Sequence, residues 1–205
     1  MKTRLAADLG DDRALAAYEA MLRDVLEGIG PSADGLEVEV LWAPTEAANG
    51  ESLRAAFGDR ATAMQTGETL GDRMAMAFSE RFFFHRTQQI IAIGVDEPQL
   101  TRETIEHAFA LLDSCEWVVG PAEDGGYYLI GCRGPAFDVD VFDGIAWSTP
   151  TVFRDTMAKI RTWENSVAVL PRRFDVDVAD DLRRLATECN DGGAVATLLR
   201  EWGWR

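Results

Sequence analysis

The 205-residue chain carries 20 Lys and Arg against 35 Asp and Glu, a formal charge of −15, with 47% hydrophobic and 27% charged residues. That is a globular composition, long enough to bury one core without a disulfide or structural metal, and its field opposes approach to nucleic acid or an anionic membrane. Three cysteines with no CxxC, two histidines and no apolar run of membrane-spanning length exclude a disulfide scaffold, a histidine-rich zinc site and insertion, so one cytoplasmic domain over 1–205 is expected.

Leu15, Tyr18, Leu22, Val25, Leu26 and Ile29 recur at helical spacing behind Asp11 and Asp12, with Gly28 and Gly30 as stop signals. Leu36, Val38, Val40 and Trp42 then alternate with Glu37, Glu39 and Leu41, the period of a strand with one buried face. A short helix is expected over 51–57. A longer one runs through Leu70, Met74, Ala77, Phe78 and Arg81, after a loop holding Gly67 and Gly71. Gln89 to Gly94 is almost uninterruptedly apolar, which predicts a central strand covered on both faces. Thr101 can cap a helix carrying Ile105, Ala108, Phe109 and Leu112, followed by a buried strand over Trp117–Gly120 and another over Tyr127–Gly131. A helix from Thr151 to Trp163, a strand from Ser166 to Leu170 and closing helices over 179–189 and 194–202 complete the chain. Such alternation predicts a three-layer α/β domain with a mostly parallel central sheet.

Ligands of an open α/β sheet bind beyond the carboxyl ends of its strands, and the Ile90–Gly94 run delivers Asp96 to that edge. A carboxylate there can hold Mg²⁺ or Mn²⁺ while a diphosphate supplies further oxygens, or it can simply cap a turn. Asp175 and Asp177 stand two residues apart, so an extended backbone points both to one side, whereas Asp180 and Asp181 suit the start of the next helix. Between two strands lies Pro121-Ala122-Glu123-Asp124-Gly125-Gly126-Tyr127-Tyr128, in which glycines admit a ligand, Asp124 can accept a proton and tyrosine rings offer stacking surfaces. The same stretch also reads as an Asp-Gly hairpin turn. Trp147 and Ser148 can wall a pocket, and Lys2 and Arg4 can clamp a diphosphate. Gly28-Ile29-Gly30-Pro31-Ser32-Ala33 fits GxGxxA only nominally, because it ends a helix where the dinucleotide fingerprint follows a strand.

These segments, taken in order, resemble a bacterial family of glycosyltransferases with the GT-A, or nucleotide-diphospho-sugar transferase, fold, some members of which are linked to arsenosugar biosynthesis. The resemblance is carried by Lys2-Thr3-Arg4-Leu5, Gln65-Thr66-Gly67 with Leu70-Gly71-Asp72-Arg73-Met74, Gly94-Val95-Asp96-Glu97-Pro98-Gln99-Leu100, Gly120 to Gly131, Trp147-Ser148-Thr149, and Asp175-Val176-Asp177 with Asp180-Asp181-Leu182. It implies a metal-binding Asp96 with Asp177 or Asp175 as partner, and a nucleotide lined by Lys2, Thr3, Arg4, Gln65, Gly67 and Gly71. It further implies that the Glu123–Tyr127 loop, with Glu123, Gly125, Gly126 and Tyr127, faces the sugar or acceptor; beside it Trp147 and Ser148 are expected to wall the pocket and Asp124 to act as acceptor base. Family members carry a strand and loop before the Lys-Thr-Arg segment, so the resemblance implies a sheet missing its first strand. The leading expectation is a metal-dependent transferase moving a sugar from a nucleotide-diphosphate donor to a small acceptor. Nucleotidyl transfer, as in the related phospholactate guanylyltransferases, and a catalytically inactive binding paralogue are the alternatives.

Overall fold

The computed structural model describes residues 3–33, 35–43, 57–58, 60–188 and 192–204; the helix expected over 51–57, Lys2 and Cys189 lie outside them, apart from Phe57. The residues gather into two compact units, one of 1–63, 95–102 and 175–205, the other of 64–94 and 103–174. The sequence reading took 1–205 as a single domain.

In the first unit, α1 (Thr3–Leu9) and α2 (Asp11–Ile29) are separated by Gly10 at φ 83°, a left-handed conformation that suits glycine. The sequence reading missed α1, which spans only seven residues and is below the length at which a helix forms unaided. Helix α2 buries Leu22, Val25, Leu26 and Ile29 as its periodicity predicts, but in its first half Ala14, Ala17 and Met21 are buried while Leu15 and Tyr18 stay half-buried. Its carboxyl end is closed by two arginines. The Arg60 guanidinium donates to the carbonyls of Leu26, Gly30 and Phe57, and that of Arg102 to those of Ile29, Pro31 and Ala33. Of these acceptors Leu26 and Ile29 belong to the last turn of α2, whose carbonyls a helix end leaves without partners, and the two guanidinium groups place positive charge at its negative pole. Gly28 is needed because a Cβ there would stand 2.2 Å from the Leu100 carbonyl oxygen, which is why the nominal fingerprint is structural. Strands β1 (Glu39–Trp42) and β2 (Ala61–Met64) form a two-stranded sheet; the short, exposed β2 was not expected. Helices α6 (Ala179–Glu188) and α7 (Ala194–Glu201) close this unit, with Asp24 of α2 accepting the amides of Ala194 and Val195 at the start of α7.

The second unit holds a four-stranded sheet of β3 (Gln89–Ile93), β5 (Tyr127–Arg133), β4 (Trp117–Pro121) and β6 (Val167–Val169), in that spatial order. Strands β3, β4 and β6 run the same way, while β5 lies reversed between β3 and β4, so two of the three pairings are antiparallel. The predicted central strand β3 stands at the end of this sheet among the described residues, half-buried along its whole length, whereas β4 is buried throughout. Helices α3 (Leu70–Phe83), α4 (Arg102–Leu112) and α5 (Val152–Thr162) accompany it. Phe78, Trp117, Val119, Ile130, Cys132, Phe142, Met157 and Ile160 form its core, with Phe78 touching the rings of Phe82, Phe137 and Phe142. Burial of this kind contributes roughly 1.5–3 kcal/mol per large side chain. Cys132 lies within that core, where desolvation pushes its thiol pKa well above the ordinary range, so it packs as an apolar side chain.

Candidate active site

In the first unit, Asp96 lies three residues beyond the end of β3, and its carbonyl accepts the Val176 amide at 2.9 Å. That bond lays the Asp96 loop beside the Asp175–Asp177 segment. Val176 is fully buried and its two aspartate neighbours are half-exposed, as expected of alternating side chains on an extended segment. Asp181 caps α6 by accepting the amides of Asp177 and Val178, both at 2.9 Å, the helix-start role its position suggested. Asp177 in turn receives a hydrogen bond from the Arg4 guanidinium at 3.0 Å. The sequence reading missed Glu97, which is 3% exposed and accepts the Gln99 amide at 3.0 Å, bracing the turn that carries Asp96. A carboxylate next to a strand-end proline was its only signal.

Among the described residues no three Asp, Glu, His or Cys side chains are grouped to hold a metal unaided. Hard oxygens from Asp96 and an aspartate of the adjacent segment fit Mg²⁺ or Mn²⁺ that takes its remaining ligands from phosphate and water, and they do not fit a cage built by protein alone.

In the second unit, the Ala122–Gly126 turn is built as its Asp-Gly sequence suggests. Asp124 Oδ1 accepts the Gly126 amide at 2.7 Å, and Ala122 donates its amide to the Gly126 carbonyl. Gly125 has φ 92°, its carbonyl accepts the Phe153 amide at the start of α5, and a Cβ there would stand 2.1 Å from the Pro150 carbonyl oxygen. Glu123 and Asp124 are exposed. The register between β4 and β5 steps from Gly120–Leu129 to Pro121–Tyr127, leaving Tyr128 as the extra residue of a bulge. The bulge brings Tyr127 to the core face, while the Tyr128 ring covers Gly120 and its hydroxyl donates to the Pro171 carbonyl. Tyr128, 5% exposed, is therefore not the stacking surface the sequence suggested. Tyr127 meets Trp147 edge-on at 6.3 Å, and burial raises its hydroxyl pKa well above the ordinary value.

Gly71 does not sit in a loop: it lies in the first turn of α3, where a Cβ would come within 2.7 Å of both the Trp147 indole nitrogen and the Phe142 carbonyl oxygen. Gly71, Trp147 and Tyr127 are thus brought together. Thr69 and Asp72 cap α3 reciprocally, and Gly67, at φ 134°, presents its carbonyl to the Arg73 guanidinium. Gln65 follows β2 directly, and Thr66 is exposed. Ser148 holds φ 61°, an uncommon conformation for a side chain other than glycine, between Trp147 and a Thr149 whose hydroxyl donates to the Ala146 carbonyl.

With this geometry established, the comparisons assign the class: the fold is the nucleotide-diphospho-sugar transferase-like α/β fold. A crystal structure from Desulfovibrio desulfuricans G20, provisionally named a nucleotide-diphospho-sugar transferase, is 33% identical, with a TM-score of 0.88 over 98% of this chain and 88% of that one. Residues 28–149 match DUF2064, described as an uncharacterized protein family conserved in bacteria, and the chain belongs to that family. A 2-phospho-L-lactate guanylyltransferase from Haloarcula marismortui is 28% identical over 99% of this chain and 87% of its own length. Among the described residues no helix is long and apolar enough to cross a membrane.

Proposed function

We propose that the chain is a metal-dependent transferase that uses a nucleotide-diphosphate sugar as donor and a small molecule as acceptor. The observation that carries this reading is the seating of Asp96 against the Asp175–Asp177 segment, with Arg4 on Asp177: acceptors for a cation beside a donor for phosphate. Mg²⁺ or Mn²⁺ bound there would neutralise charge on a departing diphosphate. Asp96 and Asp177 would hold it, with Asp175 the alternative to Asp177, and Lys2, Thr3 and Arg4 would bind phosphate. Gln65 and Gly67 are assigned to the nucleotide, while Gly71, expected beside them, is buried against Trp147 and Phe142 and serves packing instead. Glu123, Gly125, Gly126, Tyr127, Trp147 and Ser148 are assigned to the sugar or acceptor. Asp124 is the proposed acceptor base; its hydrogen bond from the Gly126 amide fixes one oxygen and so orients the other.

Nucleotidyl transfer, with pyrophosphate leaving, is the second reading, favoured by the full-length similarity to the guanylyltransferase. One assay separates the two: the chain is incubated with nucleotide sugars and with nucleoside triphosphates, with and without Mn²⁺, and the products are resolved by chromatography. Mn²⁺-dependent release of a nucleoside diphosphate from a nucleotide sugar is the expected outcome. Pyrophosphate release would move the assignment to the second reading. No turnover, together with no ligand-induced rise in melting temperature, would overturn both and leave a non-catalytic protein.

A further inference from the structure

Helix α1 presents two charged side chains one turn apart to the same stretch of chain. Asp8 accepts the Ala179 amide at 3.0 Å, while Arg4 donates to Asp177 at 3.0 Å. The Asp177 backbone is fixed independently by the Asp181 carboxylate, so its side chain projects from a rigid stem towards Arg4. The Arg4 side chain is 62% exposed and that of Asp177 32%. An ion pair this open is weak and readily exchanged. Its two halves also have different natural partners: a carboxylate suits a divalent cation, a guanidinium suits phosphate.

We propose that the Arg4–Asp177 pair is an exchange contact, in which Asp177 passes from Arg4 to a divalent cation while Arg4 passes from Asp177 to a phosphate. The inference rests on the metal- and diphosphate-binding reading above and adds a coupling to it. Either ligand arriving alone has to break the pair, and the first to do so frees the group that the second needs. Cation and phosphate therefore each raise affinity for the other by the same factor through the protein, beyond their direct attraction.

The test uses the full chain, with Mn²⁺ alone followed by electron paramagnetic resonance of the free ion, and inorganic pyrophosphate alone followed by calorimetry. Arg4→Gln, Asp177→Asn and the double variant are compared with the parent. Arg4→Gln should tighten Mn²⁺ about threefold, and Asp177→Asn should tighten metal-free pyrophosphate about threefold, as expected for release of an exposed pair. In the double variant the pyrophosphate gain should vanish, because there is no guanidinium left to free. Arg4→Lys, which retains the charge, should keep Mn²⁺ affinity near the parent value. A gain that persists at full size in the double variant would mean simple removal of negative charge and would overturn the exchange, as would an unchanged Mn²⁺ affinity in Arg4→Gln. A parent chain that binds neither probe would overturn the underlying reading as well. One that binds both, with additive substitution effects, would overturn the exchange alone.

Discussion

The carboxylate region around Asp96 and the glycine-rich region around Gly125 are built on opposite physical terms. The first relies on half-exposed charged side chains, among them Arg4 and Asp177, which form an open ion pair. The second relies on close approach: Cβ atoms at Gly125 and Gly71 would lie 2.1 Å and 2.7 Å from backbone carbonyl oxygens. In a packed interior, geometry resists change and substitution costs stability; at an exposed charge site, chemistry can be removed while the fold survives. Substitution at a close-packed glycine of the second should therefore act mainly on stability, and loss of a carboxylate of the first mainly on function.

The largest expected effect is at the close-packed region. Gly125→Ala forces a left-handed side-chain residue against Pro150 and should destabilise by about 3–5 kcal/mol, read as a lowered denaturant midpoint. Asp96→Asn should do the reverse, lowering turnover by about 100-fold or more, roughly 2.7 kcal/mol of barrier, at a nearly unchanged melting temperature. Equal losses of stability in the two variants would erase the contrast. Arg102 sharpens it from within the first unit, since its guanidinium donates to the carbonyls of Ile29, Pro31 and Ala33 at and beyond the end of α2. Arg102→Ala should cost about 2–3 kcal/mol in chemical denaturation, whereas Arg4→Ala should cost less than about 1 kcal/mol.

The smallest effect is in pH dependence. Asp72 is held below the usual carboxylate range by the backbone amide and hydroxyl of Thr69. A depressed folded pKa contributes stability that is present above the unfolded value near 4 and is lost as pH falls through the folded one. The melting temperature of the parent should therefore drop more steeply below about pH 4 than that of Asp72→Asn. Parallel curves would remove the cap from the account.

Elements were legible wherever burial follows sequence. The apolar runs at Trp117–Gly120 and Tyr127–Gly131, and the periodic face of α2, emerged as a strand or helix within a residue or two of the expected bounds. Helix α1 and strand β2 were not legible, because one is too short to declare a period and the other buries no residue. The same limit applied to the candidate site. Asp96 was picked out by its place after an apolar strand, but the bond from Val176 to its carbonyl links residues 80 positions apart and leaves no trace in spacing. Arg60 and Arg102 passed unnoticed for the same reason, their acceptors being carbonyls, which every residue carries. Tyr128 misled because the bulge that turns it away from a ligand depends on pairing with another strand.

The bonds from α1 to the start of α6 also bear on how the chain reaches its folded state. Arg4 to Asp177 and Asp8 to Ala179 close loops of 173 and 171 residues. Closing loops of that length costs roughly 4–5 kcal/mol of chain entropy, before the contacts themselves give anything back. Contacts so distant along the chain form late, after the local pairing of β4 with β5. In pulse-labelled hydrogen exchange the amide of Val118, which pairs with Gly131 of β5, should gain protection before that of Ala179. Ligand-binding competence would then arrive as a final, separate phase of refolding, in a molecule whose aromatic core is already set.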